Sequence, residues 1–210
     1  MHSDAAFWDR IAAKYARDPI KDVPAYEHTL ERTRSFLTSH ASVLEVGCGT
    51  GATALRLADA AGRIVGTDIS AAMIDIARAR LDAPDTPRNV SFSVAAMTDE
   101  ALPHGPFDVV TAFNSLHLVR DLDAALAAIA RRLRPGGLFI SKTVCLRDSP
   151  LRFLKPVFGL LKPTGRIPHV LFLSQPELQE RIRASGFRIL EVGNFPKKPP
   201  RHFVVARRLD

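Results

Sequence analysis

Cysteine is nearly absent: the 210 residues hold two, Cys48 and Cys145, and neither has a partner at metal-ligand or redox-motif spacing. That rules out a disulfide scaffold, gives no metal site to expect, and implies a reducing, cytoplasmic setting. Also missing is the basic-then-apolar pattern of a signal peptide, since the chain opens Met1-His2-Ser3-Asp4. No uninterrupted apolar run approaches a membrane span, so a soluble or at most peripheral protein is expected. There is no internal repeat and no sign of an independent second domain, and this length suits one domain with a full core. Hydrophobic content of 46% with 24% charged residues does not suggest large-scale disorder.

Basic charge is present, and it is unevenly placed. Residues 147–210 hold 13 Lys/Arg against 5 Asp/Glu, whereas residues 1–146 hold 16 against 17, so the C-terminal part carries the whole excess of +7. A local basic surface follows. It suits either plain solvation or attraction to an anionic substrate, membrane or nucleic acid.

The stretch Val43-Leu44-Glu45-Val46-Gly47-Cys48-Gly49-Thr50-Gly51 reads as a buried strand running into a glycine-paved turn, where the backbone can approach a ligand that a β-carbon would obstruct. Residues 52–61 read as the helix that follows. Arg63 to Asp68 is a second apolar strand ending in a carboxylate, placed to accept hydrogen bonds from the ribose hydroxyls of a nucleoside. Ser70 caps a helix striped by Met73, Ile76, Ala77 and Leu81, and Ile69 and Met73 are placed to pack on an adenine face. Residues 89–95 form a third strand. Phe107 to Phe113 is a fourth, delivering Asn114 and His117 to the edge where open parallel sheets bind ligands.

Asp121 caps the next helix, Pro135-Gly136-Gly137 breaks it, and a fifth strand covers 138–144. Residues 5–17 and 25–39 read as N-terminal helices. Ser174-Gln175-Pro176-Glu177 opens a helix as a capping box, and the runs 187–192 and 202–207 can pair antiparallel. Five strands separated by helices imply a doubly wound parallel sheet.

Glycine spacing alone leaves a dinucleotide-dependent oxidoreductase open, because Gly47, Gly49 and Ala52 fit its pattern too. Glu45, Gly51 and the terminal antiparallel pair tilt the reading. E-V-G-C-G-T-G with G-T-D-I-S, F-D-V-V followed by L-H, and L-R-P-G-G-L resemble the class I S-adenosylmethionine-dependent methyltransferases, in particular the small-molecule branch that includes the quinone-biosynthesis C-methyltransferases. The resemblance covers nearly the whole chain and is weakest at 147–173. It implies a Rossmann-like, mostly parallel seven-stranded α/β sheet with an antiparallel last strand, as a single domain over 1–210. Residues 1–40 would be a helical cap and 147–173 a variable lid over the acceptor site.

By the same resemblance S-adenosyl-L-methionine is the cofactor and S-adenosyl-L-homocysteine the product. Tyr15, in F-W-D-x-x-A-x-x-Y, would lie over the cofactor, and Glu45, Gly47, Gly49, Gly51 and Asp68 would bind it. Where relatives carry an acid after the third strand this chain has Ala95-Ala96-Met97, so backbone groups near Ala96 and Met97 would hold the adenine. Asn114 would sit beside the reacting methyl. Methyl transfer needs positioning and desolvation more than a covalent helper; where the acceptor needs a base, His117 is the first candidate and His169 a weaker one, with packing as the competing role for His117.

The expected partner is a small-molecule methyl acceptor, apolar or anionic. A basic amphipathic piece in the variable segment, with Leu154, Val157, Phe158 and Leu161 on one face and Arg152, Lys155, Gly159 and Lys162 opposite, and the loop Lys197-Lys198 permit peripheral contact with an anionic membrane. Nucleic acid is disfavoured, since the N-P-P-Y motif of many base-modifying enzymes is absent. A non-catalytic cofactor-binding module stays open, and one chain does not reveal the oligomeric state.

Overall fold

The computed structural model describes residues 4–161, 167–196 and 200–210. Two helices come first, α1 (Asp4–Arg17) and α2 (Val23–Arg34). Strands and helices then alternate: β1 (Ser42–Val46), α3 (Ala52–Leu57), β2 (Arg63–Asp68), α4 (Ala71–Ala79), β3 (Val90–Val94), β4 (Phe107–Phe113), α5 (Leu122–Arg132) and β5 (Leu133–Val144). The short helix α6 (Lys155–Leu161), then α7 (Gln175–Ala184), β6 (Phe187–Asn194) and β7 (Arg201–Arg208) follow. The strands form one sheet in the order β3-β2-β1-β4-β5-β7-β6. Neighbours are parallel except at β7, which runs antiparallel to both β5 and β6. This is the expected α/β sheet with its reversed last strand.

Side chains alternate across a strand, and here the alternation feeds two cores. Leu44, Val110, Phe139 and Val204 pack with Leu126 and Ile129 of α5 and with Leu178 and Ile182 of α7. Val43, Val109, Ile140 and Phe203 pack on the other face with Leu30 of α2, Leu57 of α3 and Ile74 of α4. Helix starts are fixed by side-chain caps. Asp22, Ser70, Asp121 and Ser174 each accept a backbone N–H three residues on. The capping box at Ser174 is only half made, because the Glu177 carboxylate turns away to Arg147 at 3.0 Å.

Three boundaries differ from expectation. The helix expected to reach residue 39 stops at Arg34, where the Ser35 hydroxyl donates back to the Arg32 carbonyl. The one expected over 52–61 tightens to a 3-10 turn at Ala58–Ala60. Pro135-Gly136-Gly137 lies within β5 rather than ahead of it. Gly136 takes a φ of 72°, and pairing with β4 passes from Phe107↔Leu133 to Val109↔Leu138, so the turn is absorbed as an irregularity in the strand.

The crossovers run outward from β1 on one side and from β4 on the other, so the order reverses between these two strands. Their carboxyl ends carry the glycine turn and Asn114, and a crevice opens there. Gly51 starts α3 with a φ of 75°, and a β-carbon on it would lie 2.5 Å from the Phe92 ring and 3.0 Å from Ala77 Cβ. Gly51→Ala is therefore expected to destabilise the ligand-free protein by about 1–3 kcal/mol through strain and overlap. A lower thermal midpoint is the readout; an unchanged midpoint contradicts this packing.

Candidate functional site

A cavity of about 1080 Å³ occupies that crevice. Its floor comes from the ends of β1, β2, β4 and β5. Its roof is N-terminal: Trp8 and Tyr15 of α1, the connection through Asp18 and Asp22, and Tyr26 and Thr29 of α2 all line it.

The glycine turn forms one wall. Gly47 has a φ of 69°, and a β-carbon there would fall 2.5 Å from Ser115 Cβ, so only glycine lets the end of β1 pass so close to the β4 edge. Asp68 fastens the turn from β2. One carboxylate oxygen accepts the Gly49 N–H and the other the Ser70 N–H, both at 2.9 Å. Each oxygen keeps a lone pair that could accept a ribose hydroxyl. Burial pushes the Asp68 carboxyl above the usual range, against the pull of these N–H groups.

Glu45 is the least satisfied group in the cavity. It is 3% exposed, and its Oε2 has no hydrogen-bond partner. Burial pushes its carboxyl up to about 8, the Ala54 N–H pulls the other way, and the Asp68 charge adds to the rise. A buried carboxyl of this kind is stabilised by a cation brought to it. An α-amino acid end of a cofactor, with its ammonium, fits that requirement. Across from it Ile69, Met73, Ala96 and Met97 make an apolar slot, suited to a flat heteroaromatic ring. The residues therefore fit S-adenosylmethionine: Glu45 would take the ammonium, Asp68 the ribose, and the slot between Ile69 and Met97 the adenine.

The structure gathers most of the expected residues. Tyr15, Glu45, Gly47, Gly49, Asp68, Ile69, Met73, Ala96, Met97 and Asn114 all line the cavity. Asn114 takes a φ of 53°, an uncommon conformation outside glycine that asparagine tolerates, and its N–H donates to the Lys142 carbonyl at 2.6 Å.

Two expected residues are not in the lining. Gly51 faces Phe92 and Ala77 instead, and its part is to start α3. His117 sits on a 3-10 turn (Leu116–Leu118) outside the cavity wall. Its carbonyl accepts the Leu171 N–H at 2.7 Å, its Nδ1 has no hydrogen-bond partner, and desolvation together with the Arg201 charge holds the imidazole down to about 4. Held so low, the imidazole is a weak base, and it lies outside the cavity lining.

The segment expected as a lid, 147–173, is described only in part. Among the described residues of 147–173 none lines the cavity. The segment forms 3-10 turns and α6, and Phe158 packs against the Phe172 ring with centroids 5.5 Å apart. Phe153 and Leu160 point outward, 72% and 78% exposed. The expected positions Lys162, Lys197 and Lys198, and the side chains of Lys155, Val157 and Leu161, lie outside what is described. The N-terminal helices form the observed cover.

Sequence reasoning missed four contributors. Asp9 ties α1 to α4, accepting the Ser70 hydroxyl at 2.6 Å and the Ala72 N–H at 3.1 Å. Tyr26 lines the cavity with its hydroxyl 3.4 Å from Thr53 Oγ1. Lys142 and Arg201 bring two cations to the wall. Only Tyr26 carried a signal, its place on the helical stripe; the others depend on contacts between distant segments.

A family model described as a methyltransferase domain matches residues 43–137. The O-methyltransferase resE of Aspergillus sclerotiorum is 32% identical over 198 residues, covering 86% of this chain and 69% of that protein. The ubiquinone biosynthesis O-methyltransferase of Thiobacillus denitrificans is 31% identical over 163 residues, covering 75% of this chain and 68% of its own. Among solved structures, the complex between the Haloferax volcanii Trm112 methyltransferase activator and a putative methyltransferase contains a chain of like fold. Its TM-score is 0.74 at 21% identity, with 97% of this chain and 98% of that one covered.

The Glu45 shift sets a pH dependence. Between its ordinary value of 4.5 and about 8 the folded chain keeps a proton that the unfolded chain has released. Unfolding thus releases a proton in this window, and stability falls as pH rises. The thermal midpoint of the ligand-free protein should decline from about pH 5 to about pH 8, and decline less in Glu45→Gln. Parallel curves for the two proteins would remove Glu45 as the source.

Proposed function

This chain belongs to the S-adenosylmethionine-dependent methyltransferase family, and from that premise we propose that it methylates a small organic acceptor, apolar or acidic, held beneath the N-terminal helices. Membership removes the dinucleotide oxidoreductase alternative. The observation that carries the reading is the buried Glu45 carboxyl, with one oxygen unpartnered in a cavity that also presents Asp68 and an apolar slot.

The bound cofactor supplies an electrophilic methyl on its sulfonium. The chain's own part is to bind, orient and exclude water. Glu45 and Asp68 fix the two polar ends of the cofactor, and the Ile69 to Met97 slot fixes the ring. Tyr15 and Trp8 close the roof. Asn114, held in its unusual backbone conformation at the end of β4, points the switch-point edge at the acceptor. Positioning of this kind can supply much of the acceleration, with no protein nucleophile.

Two relatives are O-methyltransferases, which supports an oxygen acceptor for this chain as well. The exposed segment after β5 supports a second element of the reading, peripheral contact with an anionic membrane. Phe153 and Leu160 stand out in solvent, and the Arg152 guanidinium lies 4.7 Å from the Phe153 ring centroid. Such a mixture of apolar and basic side chains suits a lipid surface. No helix among the described residues is long and apolar enough to cross a membrane. The two free cysteines, both buried, are consistent with the cytoplasmic setting.

Calorimetric titration with S-adenosylhomocysteine tests the cofactor site. Asp68→Ala should lose about 1–3 kcal/mol of affinity by leaving the ribose hydroxyls unpaired and loosening Gly49. Binding of a nicotinamide dinucleotide in its place would sink the assignment. Transfer of labelled methyl into a cell extract separates an enzyme from a binding module. Co-sedimentation tests the membrane element: anionic vesicles should retain the wild type and release Phe153→Asp and Leu160→Asp, both keeping full cofactor affinity. Equal retention of all three would end that element alone.

A further inference from the structure

The cavity has a second end, built by β5, β7 and α2, that the cofactor does not explain. Lys142 lies there with only 4% of its surface exposed. Its ammonium donates to Thr29 Oγ1 at 2.8 Å and to the Ala25 carbonyl at 3.3 Å. An ammonium has three hydrogens, so one donor is left over, on a residue that lines the cavity.

Arg201 lines the same wall. In the antiparallel register it stands opposite Val144, and Lys142 stands opposite Phe203. Lys142 and Val144 share a sheet face, because side chains alternate. Arg201 is thus the diagonal neighbour of Lys142 on that face, about 7–8 Å away along the sheet. Among the described residues no carboxylate forms an ion pair with either side chain. The nearest acid in charge terms is Asp22, whose field favours the Lys142 ammonium, but its carboxylate is engaged as the cap of α2, accepting the Ala25 N–H at 3.0 Å.

Two like charges on one desolvated wall repel each other, and Arg201 adds to burial in bringing the Lys142 ammonium down to about 8. The arrangement costs free energy in the ligand-free protein. An anion placed between them removes that cost and satisfies the free ammonium hydrogen. Arg201 acts across the cavity too, since its charge also reaches the Tyr15 hydroxyl. The anion therefore sits under the same roof as the cofactor.

We infer that Lys142 and Arg201 form an anion-binding subsite for the acceptor, so that the enzyme selects small organic acids and holds their ionised oxygen between the ammonium and the guanidinium. This rests on the methyltransferase reading and specifies its acceptor class. Selection works by difference: a neutral molecule of the same shape leaves the buried Lys142 and the half-buried Arg201 without a counter-charge.

The test uses calorimetry on the protein loaded with S-adenosylhomocysteine. The probes are benzoate, octanoate and phenyl phosphate, each beside its neutral methyl ester or amide. At least one anion should bind the wild type roughly ten- to a hundred-fold more tightly than its neutral partner, as charge-assisted hydrogen bonds allow. Lys142→Met and Arg201→Gln should each abolish that preference while keeping S-adenosylhomocysteine affinity, and Arg201→Lys should restore part of it. If no anion is preferred, or if both variants keep the preference, the subsite is wrong. Should Lys142→Met fail to fold, Arg201→Gln and Arg201→Lys decide alone. Failure of the wild type to bind S-adenosylhomocysteine at all is a different result, and overturns the methyltransferase reading instead.

Discussion

The Asp68 carboxylate is the joint on which the ligand edge depends. Its two oxygens accept the Gly49 and Ser70 N–H groups, so one side chain ties the turn after β1 to the turn after β2. Ser70 continues the chain of bonds: its hydroxyl caps α4 and donates to Asp9 of α1. The roof helix is thereby hung from the same carboxylate that shapes the floor. Because each member is held by hydrogen bonds at 2.6 to 3.1 Å, the position of Tyr15 above the glycine turn follows from the end of β2 rather than from α1 itself. A connected network of this kind fixes geometry because each bond orients the group that makes the next.

Charge in the cavity is arranged on one sheet face. Glu45 stands opposite Thr111, Thr111 opposite Ile140, and Phe113 opposite Lys142, so the carboxyl and the ammonium share a face with β4 between them. Were they a mutual ion pair, each would favour the charged form of the other. The shifts run the opposite way. Burial raises Glu45 to about 8 and lowers Lys142 to about 8, as it does for groups that desolvation dominates. Neither neutralises the other, and each is left to be completed by an external charge of opposite sign. The two ends of the cavity are thus electrostatically distinct, one lined by a carboxyl and one by an ammonium.

What was legible in the sequence follows from how local each signal is. The strand-glycine-helix unit at 43–61 and the acid at Asp68 are specified within short windows, by backbone constraints that only certain residues meet. The parallel sheet followed from apolar runs separated by helical stripes, and the reversed last strand from two runs across a proline-rich loop. Boundaries were less legible where a polar side chain folds back on the backbone, as Ser35 does, or where a turn is absorbed into a strand, as at Gly136. The place of His117 was not legible for a related reason. Its nearness in sequence to Asn114 suggested a shared outlook, but Asn114 lines the cavity while His117, within the 3-10 turn that follows, does not.

The acceptor end was not legible because no single segment encodes it. Lys142 sits in Ile140-Ser141-Lys142-Thr143-Val144, where a lysine between two hydroxyl residues would ordinarily mark a solvated position. Its burial is decided by Thr29 and Ala25, more than a hundred residues earlier, and its neighbour Arg201 arrives from the reversed strand at the chain's far end. The cofactor end is also drawn from several segments, but each of them carries a short local signal of its own, as the glycine turn and Asp68 do. The other end is assembled from α2, β5 and β7, three segments that are adjacent only once the sheet has closed. A substitution in any one of them can alter the acceptor wall without touching the glycine turn. The same scaffold can therefore keep its cofactor chemistry while its choice of acceptor changes.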